Sequence, residues 1–432
     1  MHPQVLFKNR HPDRIATLEE YRASGGYQAL ADMIAHRTPA EVREIVLNAT
    51  LLGRGGAAFP AGRKMATIAD DAPFPRYLVC NADEMEPGTF KDRVMIHADP
   101  HMVLEGIAIA AWAVRAERCV IFIRPEYENA GRILEREIEI AEHNGLLGSR
   151  ILGSSYSLDV VVHRSAGRYI CGEVTAQMNA LMGRRANPLQ PPPYLTEKGL
   201  WDLPTLVHNV ETLACLPHIL LNGAEWFKKL AKTPTGAGTK LFGVSGKVKR
   251  PGCYELPIGI QLSEIIEDYA GGMIEGSEFK ACLPGGASTA FLPRQHYHVE
   301  MDFDALKKVG NRLGTAAIMV FDHKTCLVAA TLNLMEFFAR ESCGWCTPCR
   351  EGLPYIRDLL ALIEAGEGQA EFVPMLEQMR VHLYRSYCAF APGAAAPLEG
   401  LLTHFRDELQ EHIREKRCPF KGAEGSRGRG VE

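Results

Sequence analysis

Three thiols recur at every third position in Glu341-Ser-Cys-Gly-Trp-Cys-Thr-Pro-Cys-Arg350. Gly344 and Pro348 keep this run out of a plain helix, so Cys343, Cys346 and Cys349 are expected to turn inward around one small volume. A cubane 4Fe-4S cluster needs four thiolates. Cys388, in Tyr387-Cys-Ala-Phe-Ala-Pro-Gly393, is the candidate for the fourth, because the helical pattern between it and Cys349 could fold back as a hairpin. Cys418 is its rival, although it lies close to a polar tail. Zinc is an alternative occupant, but it usually takes thiols as Cys-x-x-Cys pairs within a set of four Cys or His ligands. Redox thiols without a metal are a third possibility.

A second stretch with chemical potential is Gly53-Arg-Gly-Gly-Ala-Ala-Phe-Pro-Ala-Gly-Arg-Lys64. Its glycines permit positive φ and close backbone approach, so successive N–H groups can converge on an anion, and Arg54, Arg63 and Lys64 add positive charge. It matches neither the Walker A nor the dinucleotide pattern. A short apolar strand at 76–80 runs directly into Asn81-Ala-Asp-Glu-Met-Glu-Pro-Gly88. Polar groups at the carboxyl end of a strand in an α/β sheet sit where ligands usually bind. Asp83, Glu84 and Glu86 repel one another unless water, cations or donors face them. Tyr169-Ile-Cys-Gly-Glu173 follows a later strand at another carboxyl edge and opens a helix through Met182.

These stretches must be held by elements that the hydrophobic pattern reveals. Thr38-Pro39-Ala40-Glu41 opens a helix, with Thr38 as N-cap, Pro39 at the first helical position and Glu41 closing a capping box. Strands at 76–80, 119–123 and 158–163 alternate with helices at 102–114 and 126–143, which argues for βαβ units and a largely parallel sheet. Arg184–Tyr194 is a stiff, proline-rich surface connection, and His208 to about Asn222 is expected to be helical. Composition shifts near 233–238, a linker signal. Beyond it lies a small α+β unit, then helices at 327–339, 353–365, 372–383 and 398–413 that form a bundle with the cysteine loop at its rim.

At 432 residues the chain is long enough for two or three domains with a sizeable core. A net charge of −4 leaves no footprint of nucleic-acid binding. Apolar runs such as 107–114 are too short to span a bilayer, and the N-terminal residues lack the apolar core of a signal peptide. Twelve cysteines without a secretion signal indicate a reducing compartment, with most thiols buried as small apolar groups.

Taken together, these segments closely resemble the NADH-binding flavoprotein subunits of bacterial respiratory complex I, from about Leu18 to about Phe405. The resemblance rests on the Gly53–Pro60 and Asn81–Arg93 runs, Tyr169–Glu173, Gly183-Arg-Arg-Ala-Asn-Pro188, Asn209-Val-Glu-Thr-Leu213 and the cysteine loop with Cys388. It raises the iron-sulfur cluster above zinc. The fold it implies has a Rossmann-like α/β domain for FMN and NADH over 1–235, a ubiquitin-like α+β domain over 236–325, a 4Fe-4S helical bundle over 326–420 and a disordered tail over 421–432.

In such proteins one cavity holds FMN with NADH stacked on its ring. The resemblance implies that Gly53, Arg54, Gly55 and Lys64 line the flavin and nucleotide phosphates. Asn81, Asp83, Glu84, Tyr169, Gly172 and Glu173 surround the isoalloxazine, and Asn209 and Thr212 hold the ribityl phosphate. Phe59 stacks on the adenine and Glu86 meets the nicotinamide side. Glu84 and Glu86 are the candidate catalytic residues, although the flavin itself performs the conversion from two electrons to one. The expected reaction is hydride transfer from NADH to FMN, then single-electron transfer to the cluster and onward through partner clusters to quinone. A small ferredoxin-like 2Fe-2S subunit and a larger iron-sulfur subunit are the implied partners, in a module attached to the cytoplasmic face of the membrane only through other subunits.

Several positions depart from the family pattern. Val174 replaces the second of two glutamates, His208 the first of two asparagines, and Ala58 a glycine. Pro191, Tyr194 and Met65 also differ from the usual lysine, phenylalanine and tryptophan. Most of these fall on the dinucleotide side, so NADH over NADPH preference is the property they touch. The alternative functions are the diaphorase subunit of a soluble NAD-linked hydrogenase or formate dehydrogenase, which commonly carries cysteine-rich extensions that this chain lacks, and a structural subunit with a decayed dinucleotide site.

Overall fold

The computed structural model describes residues 2–421, so the tail expected to be disordered lies, beyond Lys421, outside the described residues. Four parallel strands form the first sheet: β1 (Tyr77–Ala82), β2 (Arg118–Ile123), β3 (Asp159–Arg164) and β4 (Thr205–Asn209), in the order β3-β2-β1-β4. The chain steps from β1 out to β2 and β3, then returns to the other side of β1. The topology therefore reverses between β1 and β4, and the crevice at the carboxyl ends of those two strands is the place such a sheet offers to a ligand. Asn81 and Asn209 are register partners at that edge.

The helix Pro100–Val114 is buried on nearly every face, which its run of Ala, Ile and Val requires. Its Gly106 lets the backbone of the Val210–Ala214 helix come close, since a Cβ there would lie 2.1 Å from the Leu213 carbonyl oxygen. The Pro39–Asn48 helix has the expected capping box on Thr38 and Glu41. Two expectations are corrected. His208 and Asn209 end β4 rather than opening a helix, because Thr205-Leu-Val-His is β-prone and fully buried beside β1. Asn209 then caps the Val210–Ala214 helix, accepting from the Glu211 N–H, and a second helix, Leu216–Asn222, follows. The single helix expected at 398–413 is two, Phe390–His404 and Arg406–Glu415, broken at Phe405.

A second, mixed sheet has the order β6-β5-β9-β7-β8, from β5 (Thr239–Gly246), β6 (Gly252–Pro257), β7 (Phe279–Leu283), β8 (Leu292–Pro293) and β9 (Ala317–Asp322). Its own core includes Phe242, Leu256, Ile265 and Ile318. The helices Leu327–Glu341, Gly352–Glu364, Phe372–Leu383, Phe390–His404 and Arg406–Glu415 form the C-terminal bundle. Its core is continuous with Val79, Phe122 and Val207 of the first sheet and with Ala281 and Leu283 of the second. The bundle is thus seated against both sheets. Among the described residues no helix is long and apolar enough to cross a membrane.

Candidate active site and metal centre

Beyond β1 the chain crosses the crevice as Asp83-Glu-Met-Glu86, then enters the helix Lys91–Ala98. Glu84 caps that helix from outside, its two carboxylate oxygens accepting from the N–H groups of Asp92 (2.8 Å) and Arg93 (3.1 Å). Burial, then the nearby Asp92 carboxylate, push its pKa up to about 7. Asp83 is likewise raised to about 7 by burial, against a hydrogen bond from the Ser165 hydroxyl, and its Oδ2 is buried with no partner. Glu86 accepts from the Tyr169 hydroxyl at 2.6 Å and from the Ser288 N–H at 2.6 Å. Glu173 caps the helix Val174–Leu181, accepting from the N–H groups of Thr175 and Ala176.

Beneath these acids runs a buried charge network. Lys91 Nζ lies 2.6 Å from Asp92, 3.0 Å from Glu211 and 3.0 Å from Asn209 Oδ1. Glu211 also meets Lys240 Nζ at 2.6 Å and accepts from the Leu241 N–H. Burial raises the pKa of Glu211, but Lys240 and Lys91 outweigh it and hold the carboxyl down to about 2. Burial likewise pulls Lys91 down, yet Asp92, Glu211 and Glu84 carry its pKa well above the usual value. A permanent ammonium is therefore fixed at the floor of the crevice.

The resulting cavity, about 310 Å³, has walls from all three parts of the chain. Of the residues expected at the site, Gly55, Asn81, Asp83, Glu84, Glu86, Tyr169, Gly172, Glu173 and Asn209 line it. Gly53, Arg54, Phe59, Lys64, Val174, His208 and Thr212 lie outside its lining. Arg54 is fully buried, its backbone N–H donating to the Thr212 hydroxyl and its guanidinium to the Ala237 carbonyl, while Nε and one terminal nitrogen have no partner. Lys64 is turned to the Val207 carbonyl, 2.7 Å away, and burial brings its pKa down to about 8. Phe59 is exposed, and Val174 packs toward the bundle core. Lys91, Asp92, Thr89, Thr315 and Arg312 line the cavity without having been singled out. Lys91 and Asp92 stood inside the Asn81–Arg93 motif, whereas Thr315 and Arg312 arrive through tertiary packing that no local pattern announces.

The lining fits a flavin nucleotide. Gly55, Gly56 and Ala57 line the cavity, and among the described residues their N–H groups donate to no acceptor, which leaves consecutive donors suited to an anion. A Cβ at position 55 would stand 3.2 Å from Asn209 Cβ, and Gly56 has φ +117°, so a side chain at either would intrude or strain. The unpartnered Asp83 Oδ2 adds an acceptor for ring N–H groups.

The four expected cluster cysteines converge at the bundle rim. Cys343 and Cys346 are partly buried, Gly344 takes φ +72°, and Cys349 lies in the short helix Thr347–Arg350, which has Pro348 in its first turn. Burial first, then Cys346, Cys388 and Cys343, raise the Cys349 thiol pKa, which puts all four in one neighbourhood. Elsewhere in the described residues a different group, Cys326, Glu364, His412 and Cys418, brings its ligand atoms within 4.8 Å of one another. Cys418 lies instead in that other group. The rim and the cavity share a wall: Tyr169 N–H donates to Glu341 at 3.1 Å, and Tyr169 packs edge-on against Phe337, Phe338 and Phe390.

A cavity with free backbone donors and an acidic edge at a topological switch point, backed by a four-thiol rim, is the arrangement of a flavin- and iron-sulfur-dependent oxidoreductase component. Comparison with known proteins bears this out. Residues 46–218 match the Nuo51 FMN-binding domain, 241–291 an SLBB domain, and 329–412 the NADH-ubiquinone oxidoreductase-F iron-sulfur binding region. The chain is 46% identical to an NADH-quinone oxidoreductase-F protein of Rhizobium meliloti, over 97% of this chain and 100% of that one. It is 47% identical to the NADH-quinone oxidoreductase-F protein of Escherichia coli, over 96% and 93%. A solved NAD+-reducing [NiFe]-hydrogenase in the H2-reduced state superposes with a TM-score of 0.82 at 32% identity, covering 95% of this chain and 68% of that one. The chain belongs to the family of NADH-quinone oxidoreductase-F proteins.

Proposed function

We propose that this chain oxidises NADH in the β1/β4 cavity and delivers the electrons singly to a 4Fe-4S cluster on Cys343, Cys346, Cys349 and Cys388. Bound FMN supplies the chemistry, accepting hydride and releasing one electron at a time. The chain's own residues position it. The N–H groups of Gly55, Gly56 and Ala57 are the donors for the flavin phosphate, and Asn81, Asp83 and Asn209 the edge that orients the ring. Lys91 holds a positive charge where reduction adds negative charge. Glu86, anchored by Tyr169 and Ser288, lies on the nicotinamide side, and Glu84 fixes the helix that carries Lys91. No proton transfer through Glu84 or Glu86 is required.

The observation that carries this proposal is the shared wall. Glu173 lines the cavity and its charge is among those that act on the Cys388 thiol, so the flavin site and the cluster site are adjacent. The chain is 46–47% identical to NADH-quinone oxidoreductase relatives and 32% identical to the hydrogenase chain, which favours a respiratory NADH-quinone module over a hydrogenase diaphorase. A small 2Fe-2S subunit and a larger iron-sulfur subunit would receive the electrons, and the module would sit on the cytoplasmic face of the membrane through its partners. Val174, at the first position of its helix, would weaken discrimination against NADPH by lacking the carboxylate that repels a 2′-phosphate.

The test is anaerobic purification followed by NADH addition. Flavin absorbance should bleach, about four irons per chain should be present, and Cys388→Ser should lose the iron while its flavin still bleaches. Bound flavin that NADH cannot bleach would identify a structural role instead. In the same assay with ferricyanide, Val174→Glu should raise the NADH to NADPH ratio of kcat/KM; an unchanged ratio removes Val174 as a specificity determinant.

A further inference from the structure

Away from the cavity and the cysteine rim, four potential ligands meet under the bundle. Cys326, Glu364, His412 and Cys418 place one sulfur, oxygen or nitrogen atom each within 4.8 Å of all the others. They come from four places in the sequence. Cys326 caps the start of the Leu327–Glu341 helix, Glu364 ends Gly352–Glu364, His412 lies in Arg406–Glu415, and Cys418 follows it. His412 is fully buried, Cys418 4% and Cys326 8% exposed. We infer that this is a structural site for a single divalent cation of the zinc type.

The histidine is the decisive group. Its Nδ1 lies 2.6 Å from the Glu408 carbonyl oxygen, which can only accept, so Nδ1 carries a proton. The other nitrogen, Nε2, then faces Cys326 Sγ at 3.3 Å and Glu364 Oε2 at 3.1 Å. Without a cation, an Nε2 proton, the Cys326 thiol at 3.5 Å and Lys421 would all be directed at the single Glu364 carboxylate. A cation satisfies all four donors. The imidazole anchored through its far nitrogen by a backbone carbonyl is also the arrangement that orients a metal-bound histidine.

The spacing agrees. With Zn–S about 2.3 Å and Zn–N or Zn–O about 2.0–2.1 Å, the edges of a tetrahedron are about 3.3–3.8 Å. The Cys326–His412, Cys326–Glu364 and His412–Glu364 edges are 3.3, 3.5 and 3.1 Å. Mixed thiolate, imidazole and carboxylate donors suit zinc better than the hard cations calcium or magnesium. Charge balances as well: two thiolates and Glu364 against a divalent ion leave one negative charge, and Lys421 Nζ stands 2.7 Å from the outer oxygen of Glu364. The Ala329 N–H donates to Cys326 Sγ at 3.3 Å, at the positive end of a helix, which supports a thiolate there.

This site is separate from the cysteine rim. Cys326 and the rim stand at opposite ends of the 15-residue Leu327–Glu341 helix, about 22 Å apart at 1.5 Å per residue. A cation here would fasten the origin of the helix that carries the cluster loop to the end of Gly352–Glu364 and to the last helix, Arg406–Glu415, with the segment after it.

The test uses the full chain with its flavin and iron, purified anaerobically from zinc-replete cells. Metal analysis should find about one zinc per chain beside about four irons, the stoichiometries of a four-ligand ion and a cubane. Cys418→Ser and His412→Gln should each lose the zinc and keep the iron, while Cys388→Ser should lose the iron and keep the zinc. If the variants misfold, X-ray absorption at the zinc edge of the wild type still decides, with two sulfur and two lighter ligands expected. A wild type without zinc, a zinc held by four sulfurs, zinc unchanged in both variants, or a Cys326–Cys418 disulfide overturns the proposal.

Discussion

Protonating His208 works against the fold. It is buried in β4, its Nε2 has no hydrogen-bond partner among the described residues, and burial first, with Lys64 nearby, lowers its pKa to about 3 from an ordinary 6.5. The folded value lies below the unfolded one, so between pH 6.5 and 3 the unfolded chain binds a proton that the folded chain refuses. Stability is full above pH 6.5 and falls as the pH drops through that window. At pH 5 the penalty is about 2 kcal/mol, from 1.36 kcal/mol per pH unit. His208→Asn, the residue usual in resembling proteins, should therefore lose less stability than the wild type between pH 8 and pH 5. Urea unfolding of both at the two pH values measures it, and identical losses would refute the assignment. Position 208 also shows what single residues disclose. Its departure from the family pattern was legible, but its direction was not: β4 turns the ring away from the cavity and toward Lys64. Arg54 and Thr212 teach the same lesson: the Arg54 N–H is spent on the Thr212 hydroxyl and one end of its guanidinium on the Ala237 carbonyl, behind the loop. Asn81, Asp83, Glu86 and Tyr169 were readable because they follow the carboxyl ends of strands, where position alone aims them at a crevice.

At the scale of elements, periodicity located most strands and helices and failed where local signal and burial disagreed. His208 and Asn209 are expected to be helical because the run beyond them is, yet they close the strand Thr205–Asn209 beside β1, and Asn209 marks the true helix start. The break at Phe405 between two apolar-periodic helices left no glycine or proline at the joint to announce it. Close approach is another property that patterns hide. Gly106 sits in the middle of a strongly helical run, where alanine would ordinarily be better by about 1 kcal/mol. Here the Val210–Ala214 helix presses on it, and a Cβ would come within 2.1 Å of the Leu213 carbonyl oxygen and 3.3 Å of the Ala214 nitrogen. Neither atom belongs to a side chain that can swing away. Gly106→Ala should thus be destabilising, by about 1–3 kcal/mol or more, the range for overpacking. It should also loosen flavin binding, because the Val210–Ala214 helix carries Asn209 at its start and Glu211 in its first turn. A variant as stable as the wild type in chemical denaturation would show that the helices separate at no cost.

At the scale of the molecule, the cavity is held in common. Its walls are the glycine loop and β1 edge from the first sheet, Gly285, Arg312 and Thr315 from the second, and Ala389, Phe390 and Gly393 from the bundle. Thr89 and Thr315 share a hydrogen bond of 2.6 Å across the first two parts, and Glu86 accepts from Ser288 across the same seam. The bundle core runs into both sheets without a break. A nucleotide filling the cavity would touch all three parts at once, so its binding energy should appear in the unfolding of each. A ligand that binds only the folded state at 100 times its Kd adds about 2.7 kcal/mol. Added FMN should raise the midpoint of urea unfolding, and the shift should be the same whether followed by the iron-sulfur absorbance, which reports the bundle, or by far-UV circular dichroism, which reports the whole chain. Removing the flavin should lower both midpoints together. If the absorbance midpoint stays fixed while the dichroism midpoint moves, the bundle unfolds on its own and the shared cavity does not couple the parts.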